Sequence, residues 1–216
     1  MLSEQLKQSI AQACVTIVKP DGGRGRGVLV PGNLVLTAAH CVTYTNDFPM
    51  ALSPHTFVEE LETPQGRLKV CPEAVEPRAD IAVLGALDDQ RFSHEVEAFE
   101  TWCTQTTPVP LCVEALPVRE AFPVYIYTHT ATWIEASATI MRDEVASLWL
   151  DVPGQVEAGT SGSPIVTVQG EVIGVVSLFG SELDETHCVG PQPRPARALP
   201  VWVLEQILAA QVSEEA

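Results

Sequence analysis

Residues 159–165 read Gly-Thr-Ser-Gly-Ser-Pro-Ile. The stretch brackets Ser161 between Gly159 and Gly162 and ends on a proline that opens an apolar run. Glycine permits a tight turn that a β-branched or bulky residue resists. Such a turn can aim two backbone N–H groups at one point. Taken alone, the segment is equally an ordinary Gly/Ser turn before a strand. Two upstream segments change its weight. Leu36-Thr37-Ala38-Ala39-His40-Cys41 sets a histidine at the end of an apolar strand. Asp80-Ile81-Ala82-Val83-Leu84 sets an acid at the start of another. By itself such a histidine is as a rule structural, and such an aspartate a turn residue.

Around these segments the chain reads as short strands. They are predicted over residues 15–18, 28–30, 33–37, 56–61, 67–70, 81–84, 124–127, 133–140, 147–152, 165–168 and 172–178. The 17 prolines and 14 glycines punctuate them, which argues an all-β sandwich or barrel pair. Leu2, Leu6, Ile10 and Ala13 recur at spacings of three and four and predict an N-terminal helix. Residues 21–27 read as a loop from their glycine content. The charged stretch Asp88 to Thr104 reads as a short surface helix or a long loop. Residues 201–210, after the Pro-rich stretch 190–200, have helical spacing.

Composition narrows the partners. The chain has 216 residues, 46% hydrophobic and 19% charged, which fits a globular protein with a sizeable core. Twelve Lys and Arg against 28 Asp and Glu give a net charge of -16. A nucleic-acid partner is disfavoured, since phosphate binding needs a basic face. An anionic membrane surface is disfavoured on the same ground. No run approaches the ~18 apolar residues of a membrane span. Residues 1–12 carry Glu4 and Lys7 where a signal peptide needs an apolar run. A cytoplasmic location is therefore expected. The six cysteines form no CxxC pair. They are expected as reduced thiols, with no metal and no cofactor. His55, His94, His129 and His187 lack ligand spacing and read as surface or core residues. Glu59, Glu60 and Glu62 read as a charged face, and Trp133 and Trp149 as packing aromatics.

Serine, histidine and aspartate make chemistry when they meet. A serine hydroxyl is a poor nucleophile at neutral pH, so a base must take its proton. Imidazole suits that task, and a carboxylate fixes its tautomer and stabilises the imidazolium.

TAAHC, DIAVL and GTSGSP, in that order, resemble the trypsin/chymotrypsin-like serine protease superfamily. The order His, Asp, Ser is that of the chymotrypsin class. The resemblance runs from about Val15 to Leu208. It implies two six-stranded antiparallel β-barrels with a C-terminal helix. The first barrel would cover about residues 15–86 and the second about 109–200, joined by 87–108, with the helix over 201–212. It implies a serine endopeptidase acting on protein or peptide substrates. His40 would be the general base, Asp80 its orienting acid and Ser161 the nucleophile. The N–H groups of Gly159 and Ser161 would form the oxyanion hole. Ser177 matches the family serine that bonds the triad acid and opens the substrate-binding strand. Gln155 would lie at the floor of the specificity pocket, with Leu178 and Phe179 in its wall.

The departures are informative. Secreted members carry Asp before the nucleophile, which pairs with a new N-terminus after cleavage; Thr160 cannot form that ion pair. Secreted members also bridge the TAAHC cysteine to one upstream, and residues 21–35 contain none. Both features resemble the intracellular or HtrA-like bacterial branch and some viral proteases. The stretch after Val201 is too short for the PDZ-like module of full HtrA proteins. The competing reading is a latent or inactive protease-fold module, switched on by an activating partner or only binding one.

Overall fold

A computed structural model of the chain describes residues 1–19, 22–43, 58–77, 79–87, 89–140, 147–152, 156–157, 159–177, 194–198 and 203–205. Helix α1 (Glu4–Ala13) opens it. The Ser3 hydroxyl caps the helix by accepting the Leu6 N–H at 3.2 Å, and Glu4 faces the positive end of the helix dipole. The helix ends where Cys14 turns extended (φ -80, ψ 139). There the β-branched run Val15-Thr16-Ile17-Val18 takes over.

The strands are β1 (Cys14–Val18), β2 (Arg24–Val30), β3 (Leu34–Thr37), β4 (Glu59–Thr63), β5 (Gly66–Glu76) and β6 (Ile81–Gly85). They close into a barrel in the order β1-β2-β3-β6-β5-β4. Helix α2 (Asp89–Gln105) follows. Then come β7 (Ala121–Tyr127), β8 (Trp133–Ile140), β9 (Ser147–Asp151), β10 (Pro164–Val166), β11 (Val172–Val175) and β12 (Arg194–Ala198). They close a second barrel in the order β10-β11-β12-β9-β8-β7. Every pairing within the barrels is antiparallel. The expected double barrel is the observed fold. Val203–Glu205 are helical, and the rest of the stretch 201–212 lies outside the described residues.

Several expectations are corrected. Residues 24–27 are strand, not loop: Gly25 and Gly27 pair with Ile17 and Val15 of β1. The glycine signal marks close approach rather than a turn. A Cβ on Gly25 would stand 2.4 Å from the Cys41 sulfur. The Pro-rich stretch hides β12. Pro195 pairs with Trp149 of β9, while β11 reaches only Arg197 and Ala198. Among the described residues, Pro195 therefore pairs on the β9 side alone, where a missing donor is tolerated. Helix α2 resolves the ambiguity at residues 88–104. It is interrupted only at Phe92 (φ -134, ψ 41) and buries Val96, Phe99, Trp102 and Cys103 along one side. Glu59 is not part of a charged face. It is 1% exposed, and its carboxylate accepts the Thr43 N–H at 2.6 Å. Trp149 projects to solvent, 39% exposed, because successive strand residues face opposite ways and Leu148 and Leu150 take the interior.

The larger apolar core crosses between the barrels. Val15, Val28, Leu36 and Ile81 of the first share it with Phe99 and Trp102 of α2 and with Tyr125, Val166 and Val175 of the second. Val124, Ile126, Leu148, Leu150 and Ile165 fill the second barrel. Main-chain bonds tie the halves: Val109 donates to the Leu29 carbonyl at 2.9 Å and Arg26 to the Ser161 carbonyl at 2.7 Å. The Ser161 main chain is thereby held against the first barrel.

Candidate active site

His40 lies on a single 3₁₀ turn, Ala39–Cys41, at the end of β3. Asp80 opens β6 from the left-handed region (φ 53), which Asp tolerates better than most residues. That conformation turns both its backbone and side chain towards the histidine. The Ala39 N–H donates to the Asp80 carbonyl at 3.1 Å. The His40 N–H donates to Asp80 Oδ1 at 2.9 Å, and His40 Nδ1 meets Oδ2 at 2.8 Å. The Ser177 hydroxyl donates to the same Oδ2 at 2.5 Å. Lys19 Nζ donates to the His40 carbonyl. His40, Asp80 and Ser177 are thus brought into one hydrogen-bonded set, with Asp80 6% exposed and Ser177 3% exposed.

These contacts set the charges. The bond to Asp80, with a smaller contribution from Cys41, pushes the His40 imidazole up to about 10 against the opposing effect of burial. Burial alone would raise Asp80. The bonds from the His40 ring and the Ser177 hydroxyl outweigh it and hold the carboxyl below its ordinary value.

Ser161 sits on the turn before β10. Its carbonyl accepts from the Arg26 N–H at 2.7 Å and the Cys41 thiol at 3.6 Å, so it is fixed to the wall that carries His40. Gly162 (φ +81) donates its N–H to the Val176 carbonyl at 2.7 Å. A Cβ there would stand 2.0 Å from the Arg26 carbonyl oxygen, so only glycine fits. Val176 donates back to the Ser163 carbonyl at 2.9 Å, which lays Ser177 beside the turn. Gly159 takes φ +93. Among the described residues, the Gly159 and Ser161 amides donate no hydrogen bond, and none joins the Ser161 hydroxyl to the His40 ring. Gln155, Leu178 and Phe179, the expected pocket residues, lie outside the described residues.

Sequence reading passed over His129, which stands against this turn. Its Nδ1 meets the Thr160 hydroxyl at 3.0 Å, and its Nε2 lies 3.5 Å from a Glu157 carboxylate oxygen. Its only sequence signal is the threonine-rich hairpin Thr128-His129-Thr130 between two strands. Among the described residues no group of three or more His, Cys, Asp and Glu side chains is spaced to hold a metal ion.

The trypsin-like peptidase domain family matches residues 25–175, and the chain belongs to that family. No curated protein matches it. Solved structures agree with the fold. The serine endoprotease of Yersinia pestis superposes with a TM-score of 0.60 at 16% identity, covering 97% of this chain and 68% of that one. An inactive Ser-to-Ala mutant of Rv3671c from M. tuberculosis gives 0.58 at 16% identity, covering 99% and 91%. The active form of the Rv3671c protease gives 0.56 at 17%, covering 96% and 82%.

Proposed function

We propose that the protein is a serine endopeptidase that cleaves protein or peptide substrates through an acyl-enzyme. The observation that carries this reading is the buried Asp80 carboxylate, bonded at once to the His40 ring and the Ser177 hydroxyl beside the Ser161 turn. In this reading Ser161 Oγ attacks the scissile carbonyl while His40 Nε2 takes its proton. Asp80 holds the ring tautomer and stabilises the imidazolium. The Gly159 and Ser161 amides bind the oxyanion. His40 then returns the proton to the departing amine, and water repeats the sequence to release the acyl group. A fluorophosphonate probe tests it: Ser161 should be labelled, and the Ser161→Ala protein should not. Absence of labelling at Ser161 would overturn the reading.

One observation favours a second reading, a module latent until a partner aligns it. No hydrogen bond joins Ser161 to His40 among the described residues. In free enzymes catalytic hydrogen bonds are often long and tighten in the substrate complex, so the active reading is preferred. Labelling that needs an added partner protein would favour latency.

For specificity we propose small or medium uncharged residues before the cut bond. Gln155 offers no charge to a buried Lys or Arg, whose unpaired burial would cost several kcal/mol. Phe179 would narrow the mouth. A peptide-library profile should favour Ala, Val, Ser or Leu, and Phe179→Gly should widen it. A profile dominated by Arg or Lys would sink this pocket assignment and leave the triad standing.

A further inference from the structure

The catalytic reading needs the amides of Gly159 and Ser161 held in fixed directions. Thr160 lies between them, and its two peptide planes orient the Ser161 N–H and the Gly159 carbonyl. Its side chain is completely buried, and its hydroxyl meets His129 Nδ1 at 3.0 Å. The same ring faces Gly159, where an added Cβ would come within 3.4 Å of it, and approaches Glu157 at 3.5 Å. One imidazole thus contacts Thr160 and Glu157 and faces Gly159, all in the segment leading into Ser161.

His129 is itself anchored. The Thr128 N–H donates to the Thr132 carbonyl at 2.9 Å and closes the β7–β8 turn. The hydroxyls of Thr128, Thr130 and Thr132 bond one another at 3.0, 2.8 and 3.2 Å. A cavity of about 90 Å³ opens beside the ring, lined in part by Thr130, Ile134 and Glu157. Among the described residues packing leaves the ring open on that side, and its shortest polar contact is the Thr160 hydroxyl at 3.0 Å. We propose that His129 is a positioning residue: its bond to Thr160 holds the turn that presents Ser161 and the oxyanion amides. This rests on the serine-protease reading.

The test compares His129→Phe, which keeps a ring and loses the bond, with His129→Asn, whose amide reaches the Nδ1 position. Thr160→Val and Thr160→Ser make the matching pair. His129→Phe and Thr160→Val should each lower kcat about tenfold or more, less than the loss of an oxyanion donor itself, with KM little changed. The double variant should be no worse than either single, since one bond is removed in all three. His129→Asn and Thr160→Ser should restore most of the rate. Amide hydrogen exchange in a Ser161→Ala background gives a readout independent of turnover. His129→Phe should speed exchange at residues 159–163 and leave β7 and β8 unchanged. Unchanged exchange at 159–163, additive losses, or damage spread over β7 and β8 without rescue by Asn would overturn the positioning role. A wild-type protein that neither cleaves peptide nor labels at Ser161 would instead overturn the protease reading, and the exchange data would still decide the role of His129.

Discussion

Asp80 holds four hydrogen bonds to three residues: its carbonyl takes the Ala39 N–H, and its carboxylate takes the His40 N–H, the His40 ring and the Ser177 hydroxyl. Removing it frees the ring of the proposed base. Asp80→Asn should lower turnover by about 10⁴ and Ser161→Ala or His40→Ala by on the order of 10⁴ to 10⁶. Peptide hydrolysis measured on folded variants checks this, and retained activity in Ser161→Ala would remove Ser161 from the mechanism. The pH dependence also follows from the pair. A free imidazole would place the rising limb of activity near its ordinary value of 6.5, but the bond to Asp80 moves it to the alkaline side. The base works when neutral, so the rising limb of kcat/KM should have its midpoint above 6.5. NMR titration of the His40 ring should show a midpoint above 6.5 that falls back in Asp80→Asn. A wild-type midpoint at or below 6.5 would contradict the pairing. The stability linked to His40 is fully present below 6.5 and is lost as pH rises through the raised value. That linked to Asp80 is present above 3.8 and is lost as pH falls through the lowered one.

At the scale of elements, the site depends on how closely β2 passes the 3₁₀ turn and the Ser161 turn. Gly25 faces Cys41 and the Ser161 turn: an added Cβ would stand 2.4 and 2.7 Å from the Cys41 sulfur and Cβ and 3.5 Å from the Ser161 carbonyl oxygen. Gly25→Ala must therefore displace either β2 or the turn carrying His40. Turnover should fall about tenfold or more, since shifts of about 1 Å can cost 10² in rate. The cleavage rate of Gly25→Ala, compared with its melting temperature, separates a displaced site from an unfolded protein. Full activity would show that the turn has slack. The elements themselves were unequally legible. Strands β3 and β6 are plain in Leu36-Thr37 and Ile81-Ala82-Val83-Leu84, because buried strands read as apolar runs. Strand β2 was half hidden, since Arg24-Gly25-Arg26-Gly27 has no apolar pattern and its glycines serve a neighbour distant in sequence. Strand β12 was hidden by the prolines around it, since Pro195 breaks a strand pattern in sequence although it pairs with Trp149 of β9 in the fold.

Across the whole molecule, the described cysteines Cys14, Cys41, Cys71, Cys103 and Cys112 form no disulfide with one another. Burial pushes the Cys14 and Cys71 thiols up to about 12, which keeps them protonated and inert in the folded protein. In denaturant without prior reduction, a thiol reagent should titrate all six cysteines of the sequence. Fewer than six in protein kept from air would reveal a disulfide. In the native protein Cys14 and Cys71 should react slowest, and equal rates would show that the core opens readily. No helix among the described residues is long and apolar enough to cross a membrane.

The barrel strands with continuous apolar runs, the N-terminal helix and the three short segments holding His40, Asp80 and Ser161 are legible in the amino-acid sequence alone. Each is a local pattern, set by side-chain periodicity or by the turn chemistry of adjacent residues. Only the tertiary structure decided which side chains meet. It tied Arg26 to Ser161 through the main chain. It buried Glu59 under Thr43 and set His129 against Thr160. None of these partners is near the other in sequence, and a lone His or Glu carries no mark of its distant neighbour. Closing two barrels edge to edge brings them together, and that closure is a property of the whole chain.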